Sequence, residues 1–453
     1  LYSAFLSTSN LHIPMKSSYY NLYTPCNAGI LWFNTYHDNY MVTNCQTYDL
    51  IQNGKYDKIS ATTLKALQGN GFIVENDVDE YSNLIQEYHK TESSGTFNLT
   101  LLPSLDCNVR CWYCFEKHIV GSHLSCQQQD KVFRYAHNLL NREDISVIHF
   151  SLFGGEPMLY FKEEVAPLLF KIKDYAKTMN KDIKVSIVTN ATCITEDIIP
   201  ILAELNATFQ ITIDGYREKH NSIKKSPKFK EGTYDVVMKA IHDLTNAYDS
   251  RINLRINFDN QTFKHLNSVI NDIQDVERKK IRIHLERVWQ TTASDDYTTG
   301  TYLKEFINDM LRLNFRLSYL NFGRRNYSCL MDLKNNVVIS YDGNVYNCTG
   351  RDFTDTHQEG VLTTDGSIEW ELNKLERRAT INTYDDPACI RCKLLPQCWG
   401  LCKQKILEHP NKAEQMCPLK TMEITMDEYI TYRFNNEYIS RKIFGNEQPI
   451  SFT

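Results

Sequence analysis

The stretch TFNLTLLPSLDCNVRCWYCFE, residues 96–116, decides how this chain is read. Phe97–Leu102 is a strand-like run of apolar and β-favouring residues. Three cysteines, Cys107, Cys111 and Cys114, follow it directly on a loop. Downstream, strands and helices alternate. Strand-like runs are Val147–Phe153, Ile183–Val188, Ala207–Ile213, Ile252–Phe258 and Ile281–Leu285. Helical stretches such as Lys162–Lys177, Tyr234–Tyr248 and His265–Asp275 separate them. Six βα units in series imply a parallel sheet with right-handed crossovers. Six fall short of a closed eight-fold barrel, so the expected fold is α/β, a partial (β/α)6 TIM barrel. Chemistry on such a sheet belongs at the C-terminal strand ends, where the cysteines lie.

Other units flank this alternation. Residues 15–94 carry strand-like runs at Tyr19–Tyr23 and Gly29–Phe33 and helical stretches at Cys45–Gln52 and Ser60–Leu67. A stop at Gly69-Asn70-Gly71 precedes a short strand, Phe72–Val74, and an acidic amphipathic helix, Val78–Lys90. Residues 91–95 are polar and read as a linker. Residues 329–417 hold seven cysteines and few long helices, and Thr421–Phe444 reads as a capping helix. The expected divisions are 1–94, 95–310, 311–425 and a tail, 426–453.

Composition narrows the function. Hydrophobic residues make up 42% of the 453, ordinary for a globular protein. The net charge is −5 and no Lys/Arg block stands out, so no nucleic-acid partner is expected. No run approaches the roughly 18 apolar residues of a membrane span. The N-terminus lacks a charged start and a long apolar core, which makes it a poor signal peptide and the cytoplasm the expected location. Leu1 is no initiator and Met15 could be one, so residues 1–14 read as an extension. Fourteen cysteines in a large chain without a secretory signal argue for metal rather than disulfides. Ten fall into two ordered groups; Cys26, Cys45, Cys126 and Cys193 are scattered and read as small buried hydrophobes.

Three thiolates on one loop can ligate three irons of a [4Fe–4S] cube and leave the fourth iron open. A zinc site is the competing reading, but zinc usually takes four ligands, often as two CxxC pairs. The CxxxCxxC triad resembles the defining loop of the radical S-adenosylmethionine (SAM) superfamily. Phe153-Gly154-Gly155-Glu156-Pro157, at the next strand end, is similar to that family's GGE motif. The resemblance implies SAM chelated by the open iron and a 5′-deoxyadenosyl radical that abstracts an unactivated hydrogen. It implies that Glu156 accepts from the SAM ammonium, with Gly154 and Gly155 permitting close approach. Thr189, Asn190, Thr212 and Leu285 are similar to positions that contact SAM, and Phe115, directly after Cys114, is an aromatic that could cover the adenine edge. Lys224 stands where relatives often carry an Arg, and a Lys supplies charge without a fork.

The later cysteines, Cys329, Cys348, Cys389, Cys392, Cys398, Cys402 and Cys417, resemble the SPASM extension. That resemblance implies two auxiliary [4Fe–4S] clusters, three clusters in all. Cys389, Cys392, Cys398 and Cys417 would close the distal one; Cys329, Cys348 and Cys402 would hold the proximal one. Gly323 stands where some members place an eighth cysteine. Residues 1–94 resemble a winged-helix-like unit that binds a leader by β-augmentation. The family implies a precursor-peptide substrate and an electron donor such as flavodoxin or ferredoxin. The expected reaction is a thioether or carbon–carbon crosslink in a ribosomally made peptide. Sulfatase maturation is the alternative, weakened because Thr349 follows Cys348 where maturases place an Asp base; a non-enzymatic cluster-bearing binding protein is the other. Asp214, Asp342 and Asp352 remain unseparated as base candidates.

Overall fold

The computed structural model describes residues 14–91, 95–288, 290–291, 297–319, 329–410 and 417–445. The N-terminal part begins with strands β1 (Met15–Ser17), β2 (Asn21–Cys26), β3 (Gly29–Asn34) and β4 (Asn39–Thr43). Helices Cys45–Gln52 and Ala61–Gly69 follow, then β5 (Ile73–Glu75) and a helix, Glu80–Thr91. Strands β2, β3 and β4 form one antiparallel sheet, and β1 pairs with β5. Asn44 and Ser60 start the two short helices by accepting from the amides of Thr47 and Thr63. Trp32, Ile51, Leu67, Phe72 and Ile73 make the core, and the Trp32 indole N–H is satisfied by Thr43 at 2.8 Å. Glu80, at the start of the acidic amphipathic helix, is buried. Its carboxylate accepts from Ser18 Oγ and the Tyr19 amide and pins the helix to the strands.

The large sheet contains the six expected strands: β6 (Thr96–Leu102), β7 (Val147–Leu152), β8 (Asp182–Thr189), β9 (Thr208–Ile213), β10 (Ile252–Phe258) and β11 (Ile281–Arg287). All six are parallel, each beside its sequence neighbour. Among the described residues the parallel row gains one short strand at each edge. These are β12 (Arg316–Tyr319) beside β11 and β13 (Asn336–Ser340) beside β6. Antiparallel strands β14 (Asn344–Tyr346), β15 (Gly360–Leu362) and β16 (Ile368–Trp370) continue outward from β13. The sheet therefore stays open. Helix Met426–Phe444 covers the β12 edge: the Leu317 amide donates to Asn436 Oδ1 at 2.7 Å and the Tyr319 amide to Tyr432 at 3.2 Å. Side chains thus satisfy an edge that a further strand would otherwise pair.

Alternation along the strands sorts the two faces. Ile252, Leu254, Ile256 and Phe258 join Ile281, Ile283 and Leu285 in the main core. Asn253, Arg255 and Asn257, in register with Arg282, His284 and Glu286, fall on the opposite, inner face. The N-terminal part also packs on the C-terminal cysteine segment. Tyr20, Leu84 and Tyr88 form one buried cluster with Tyr384, Leu395 and Trp399, and Cys389 packs against it. Lys393 donates to the Asn21 carbonyl at 3.0 Å and Gln397 to the Thr35 carbonyl at 2.6 Å.

All fourteen cysteines are free thiols. Cys26, Cys45 and Cys126 are exposed rather than buried, a correction to the reading from composition. Cys45 and Cys126 each open a helix just after its cap, on the solvent side. Cys193 is half-buried. Among the described residues no helix is long and apolar enough to cross a membrane. The linker residues Glu92, Ser93 and Ser94, and Gly323, lie outside the described residues.

Candidate active site

The cysteine loop leaves the end of β6 and is anchored by the loop after β7. The Glu156 amide donates to the Asp106 carbonyl at 2.7 Å. A Cβ at Gly155 would stand 2.1 Å from that carbonyl oxygen, and one at Gly154, where φ is +92°, would stand 2.8 Å from the Ser104 carbonyl. The paired glycines thus let one backbone lie against the stem of the cysteine loop. Glu156 is 1% exposed. Its carboxylate accepts from Thr189 Oγ1 at 2.7 Å, the Asn190 amide at 2.8 Å and the Met158 amide at 3.0 Å. Burial raises its pKa against these bonds. Within the described structure this glutamate ties the ends of β7 and β8 together. Asn190 in turn donates to Asn108 at 3.0 Å and lies 3.9 Å from Cys107 Sγ.

Burial pushes the Cys107 thiol up to about 12 and Cys114 up to about 11, and Cys111 rises as well. Cys111 also raises both neighbours, so the three sulfurs share one electrostatic site. Thiols this reluctant to ionise become ligands when a cationic centre compensates them. Cys329, Cys348 and Cys402 form a second such neighbourhood, with Cys329 pushed up to about 12 by burial. Cys389, Cys392, Cys398 and Cys417 form a third, with Cys389 again up to about 12. Among the described residues no three Cys, His, Asp or Glu side chains converge tightly on one metal-sized point. An iron–sulfur cube takes each thiolate at a separate corner, so spaced trios suit it better than a single ion.

Beside the triad lies a buried polar network. Lys224 is 4% and Asp214 1% exposed, with Nζ 3.5 Å from Oδ2. Tyr113, between Cys111 and Cys114, donates to Asp214 Oδ1 at 2.6 Å. Asn257 donates to the same oxygen at 3.1 Å and to the Tyr113 hydroxyl at 2.9 Å. Burial alone would discharge Lys224, but Tyr113, Asp214, Cys111 and Cys107 outweigh it and hold the ammonium charged. Sequence reading missed Tyr113, Asn108 and Asn257; an aromatic inside the triad was the available signal for the first.

The other site candidates separate. Thr212 lies on the inner face beside Arg255, while Leu285 packs into the core on the opposite face, away from this network. Phe115 is half-buried. Of the three base candidates only Asp214 stands by the triad. Asp342 is exposed and accepts from the Asn344 amide and side chain in a turn. Asp352 faces His357 at 2.7 Å.

His220 supports Asp214 from behind. It accepts from the Asp214 amide at 3.3 Å and meets Thr233 Oγ1 at 3.0 Å, which requires a neutral ring with hydrogen on Nε2. Burial lowers its pKa to about 3. A histidine held neutral stabilises the fold above its unfolded pKa, and that stability is lost as pH falls toward 3. Chemical denaturation should show about 2 kcal/mol less stability at pH 5 than at pH 7 from this group. His220→Gln should flatten that difference.

Residues 101–273 match the family model of the radical SAM superfamily. The cysteine-type anaerobic sulfatase-maturating enzyme of Clostridium novyi (strain NT) is 24% identical over 338 residues, 68% of this chain and 87% of that protein. The radical SAM cyclopropyl synthase TigE of Paramaledivibacter caminithermalis is 23% identical over 382 residues, 73% of this chain and 74% of that protein. The solved structure of native anSMEcpe with bound AdoMet and Cp18Cys peptide is similar at a TM-score of 0.55 and 20% identity, over 77% of this chain and 98% of that one. This last likeness shows the shared fold. With its cysteine loop at the head of the parallel sheet, this chain carries a radical SAM domain over residues 101–273, and enzymes of that superfamily use a [4Fe–4S] cluster and SAM.

Proposed function

We propose that this enzyme oxidises a peptide, joining two of its side chains by a thioether or carbon–carbon bond. The observation that carries the reading is the set of three thiol neighbourhoods, one at the strand ends and two beyond the sheet. Cys107, Cys111 and Cys114 would hold the cluster that binds SAM. Cys329, Cys348 and Cys402 would hold a proximal auxiliary cluster, and Cys389, Cys392, Cys398 and Cys417 a distal one. SAM and its cluster supply hydrogen-atom abstraction when bound. The protein's part is to orient the reactants and keep water out. Lys224 would supply charge for the SAM carboxylate, and Thr189, Asn190 and Thr212, at or beside strand ends, would contact SAM. An electron donor such as flavodoxin or ferredoxin would reduce the first cluster.

A peptide substrate is supported by the N-terminal part. A cleft of about 660 Å³ lies between it and the distal cysteine segment, lined by Lys16, Tyr19, Asp79, Tyr81, Ile390 and Arg391 among others. The relatives' names include a sulfatase-maturating enzyme and a cyclopropyl synthase, and a similar structure holds a peptide. The sulfatase-maturating relative also favours a second reading, oxidation of a cysteine or serine to formylglycine; Thr349 after Cys348 weighs against it.

Anaerobically purified protein should carry about twelve irons and twelve sulfides per chain. Reduced with SAM, it should form 5′-deoxyadenosine and remove two hydrogens from a leader-bearing peptide. Zinc without sulfide would overturn the proposal. An aldehyde at a sulfatase-type cysteine, with no crosslink in leader-bearing peptides, would select the second reading.

A further inference from the structure

The inner face of the sheet carries a buried histidine–carboxylate pair that the reading above does not use. His284 is 5% exposed, and its Nε2 lies 3.1 Å from Glu286 Oε2. An ionised carboxylate only accepts, so Nε2 carries the hydrogen. Nδ1 is then a bare lone pair, and it is buried with no hydrogen-bond partner among the described residues. Leaving such an atom unsatisfied costs the fold its desolvation penalty, which asks for a partner. Its place is specific. His284 is in register with Arg255, and Glu286 with Asn257, whose amide bonds both Asp214 and Tyr113 of the triad loop. The imidazole thus sits on the same inner face, two residues nearer the strand start than the group beside the cysteines.

We infer that His284 Nδ1 is the base that takes the proton released when the peptide substrate is oxidised, with Glu286 orienting the ring. The inference rests on the peptide-oxidising reading. Joining a C–H carbon to an S–H or other X–H group removes two hydrogens. One leaves as an atom to the SAM-derived carbon radical. The other leaves X as a proton to Nδ1, while the remaining electron passes to an oxidised iron–sulfur cluster. The imidazolium formed is held by Glu286 through Nε2–H, the arrangement that a carboxylate–histidine pair uses elsewhere for proton abstraction. The charged groups facing the ring are Glu286 and Arg282 on its own strand and Arg255 on β10. Burial lowers the histidine's pKa, so the ring is neutral and ready at pH 7. Burial pushes Glu286 up, but the bond from His284 and the Arg255 charge outweigh it and keep the carboxylate ionised.

The test compares His284→Gln and Glu286→Gln with the parent holoenzyme, at matched iron content and melting temperature. His284→Gln should still form 5′-deoxyadenosine, while crosslinked peptide per 5′-deoxyadenosine falls at least about 100-fold. The acid limb of product formation should vanish. In Glu286→Gln that limb should move to lower pH, because the carboxylate no longer stabilises the imidazolium. Unchanged product yield and pH profile in His284→Gln would overturn the inference and leave the functional reading standing. Parent enzyme that cleaves SAM yet oxidises no peptide would overturn the reading. If the variants fail to fold, ¹⁵N-histidine NMR of the parent holoenzyme decides the inference. Nε2–H with a bare Nδ1 is expected; an Nδ1–H ring rules it out.

Discussion

Cys111→Ala should leave SAM intact. The thiol raises the pKa of both Cys107 and Cys114, so it is central to the trio. Losing an outer partner of a metal ligand typically costs about 10–100-fold. Losing the ligand should cost more, at least about a thousandfold in 5′-deoxyadenosine formation. About four irons per chain should go with it, while the iron that the proposed function assigns to the later cysteines should remain. Cys126→Ala is the matched control. That thiol is exposed at a helix start, and its loss should change neither iron content nor turnover. SAM cleavage that persisted in Cys111→Ala would remove the triad from the reaction.

The second large effect concerns Lys224. Lys224→Met should destabilise the protein by about 3–5 kcal/mol, the usual penalty for stranding one member of a buried pair. Asp214 would keep Tyr113 and Asn257 on Oδ1 but lose the ammonium 3.5 Å from Oδ2, with 1% of its surface open to water. Lys224→Met combined with Asp214→Asn should recover much of the loss, since no charge is then left behind. Lys224→Arg keeps the charge and should fall between parent and Met. Chemical denaturation of the anaerobic holoenzyme measures all three. Equal stability of Lys224→Met and the parent would show that the pair is not closed in solution.

Lys224 also marks how far sequence carries. Its distance along the chain from Thr212 singled out the lysine that the structure buries against Asp214, and the strand runs point to the parallel sheet around it. What stayed hidden was long-range. Tyr113, Asp214 and Asn257 come from a loop and two strands and meet only once the sheet is built. The edge strands β12 and β13 are short, and their partners are remote in sequence. Asp342 and Asp352 stand unseparated from Asp214 in the sequence; burial separates them, and burial is not written in a spacing. The glycines before Glu156 were legible as glycines, but the backbone they admit, Ser104–Asp106, was not.

Helix Met426–Phe444 has a consequence for biosynthesis. It lies along β12, and its Arg433 reaches Asp38 of the N-terminal part at 3.1 Å, across 395 positions of chain. A ribosome makes every strand of the parallel row before it makes this helix. Until then, β12 presents unpaired amides to whatever is near. The nascent chain is therefore most prone to sticking just before its last described helix emerges, and a chaperone that shields strand edges would act in that interval.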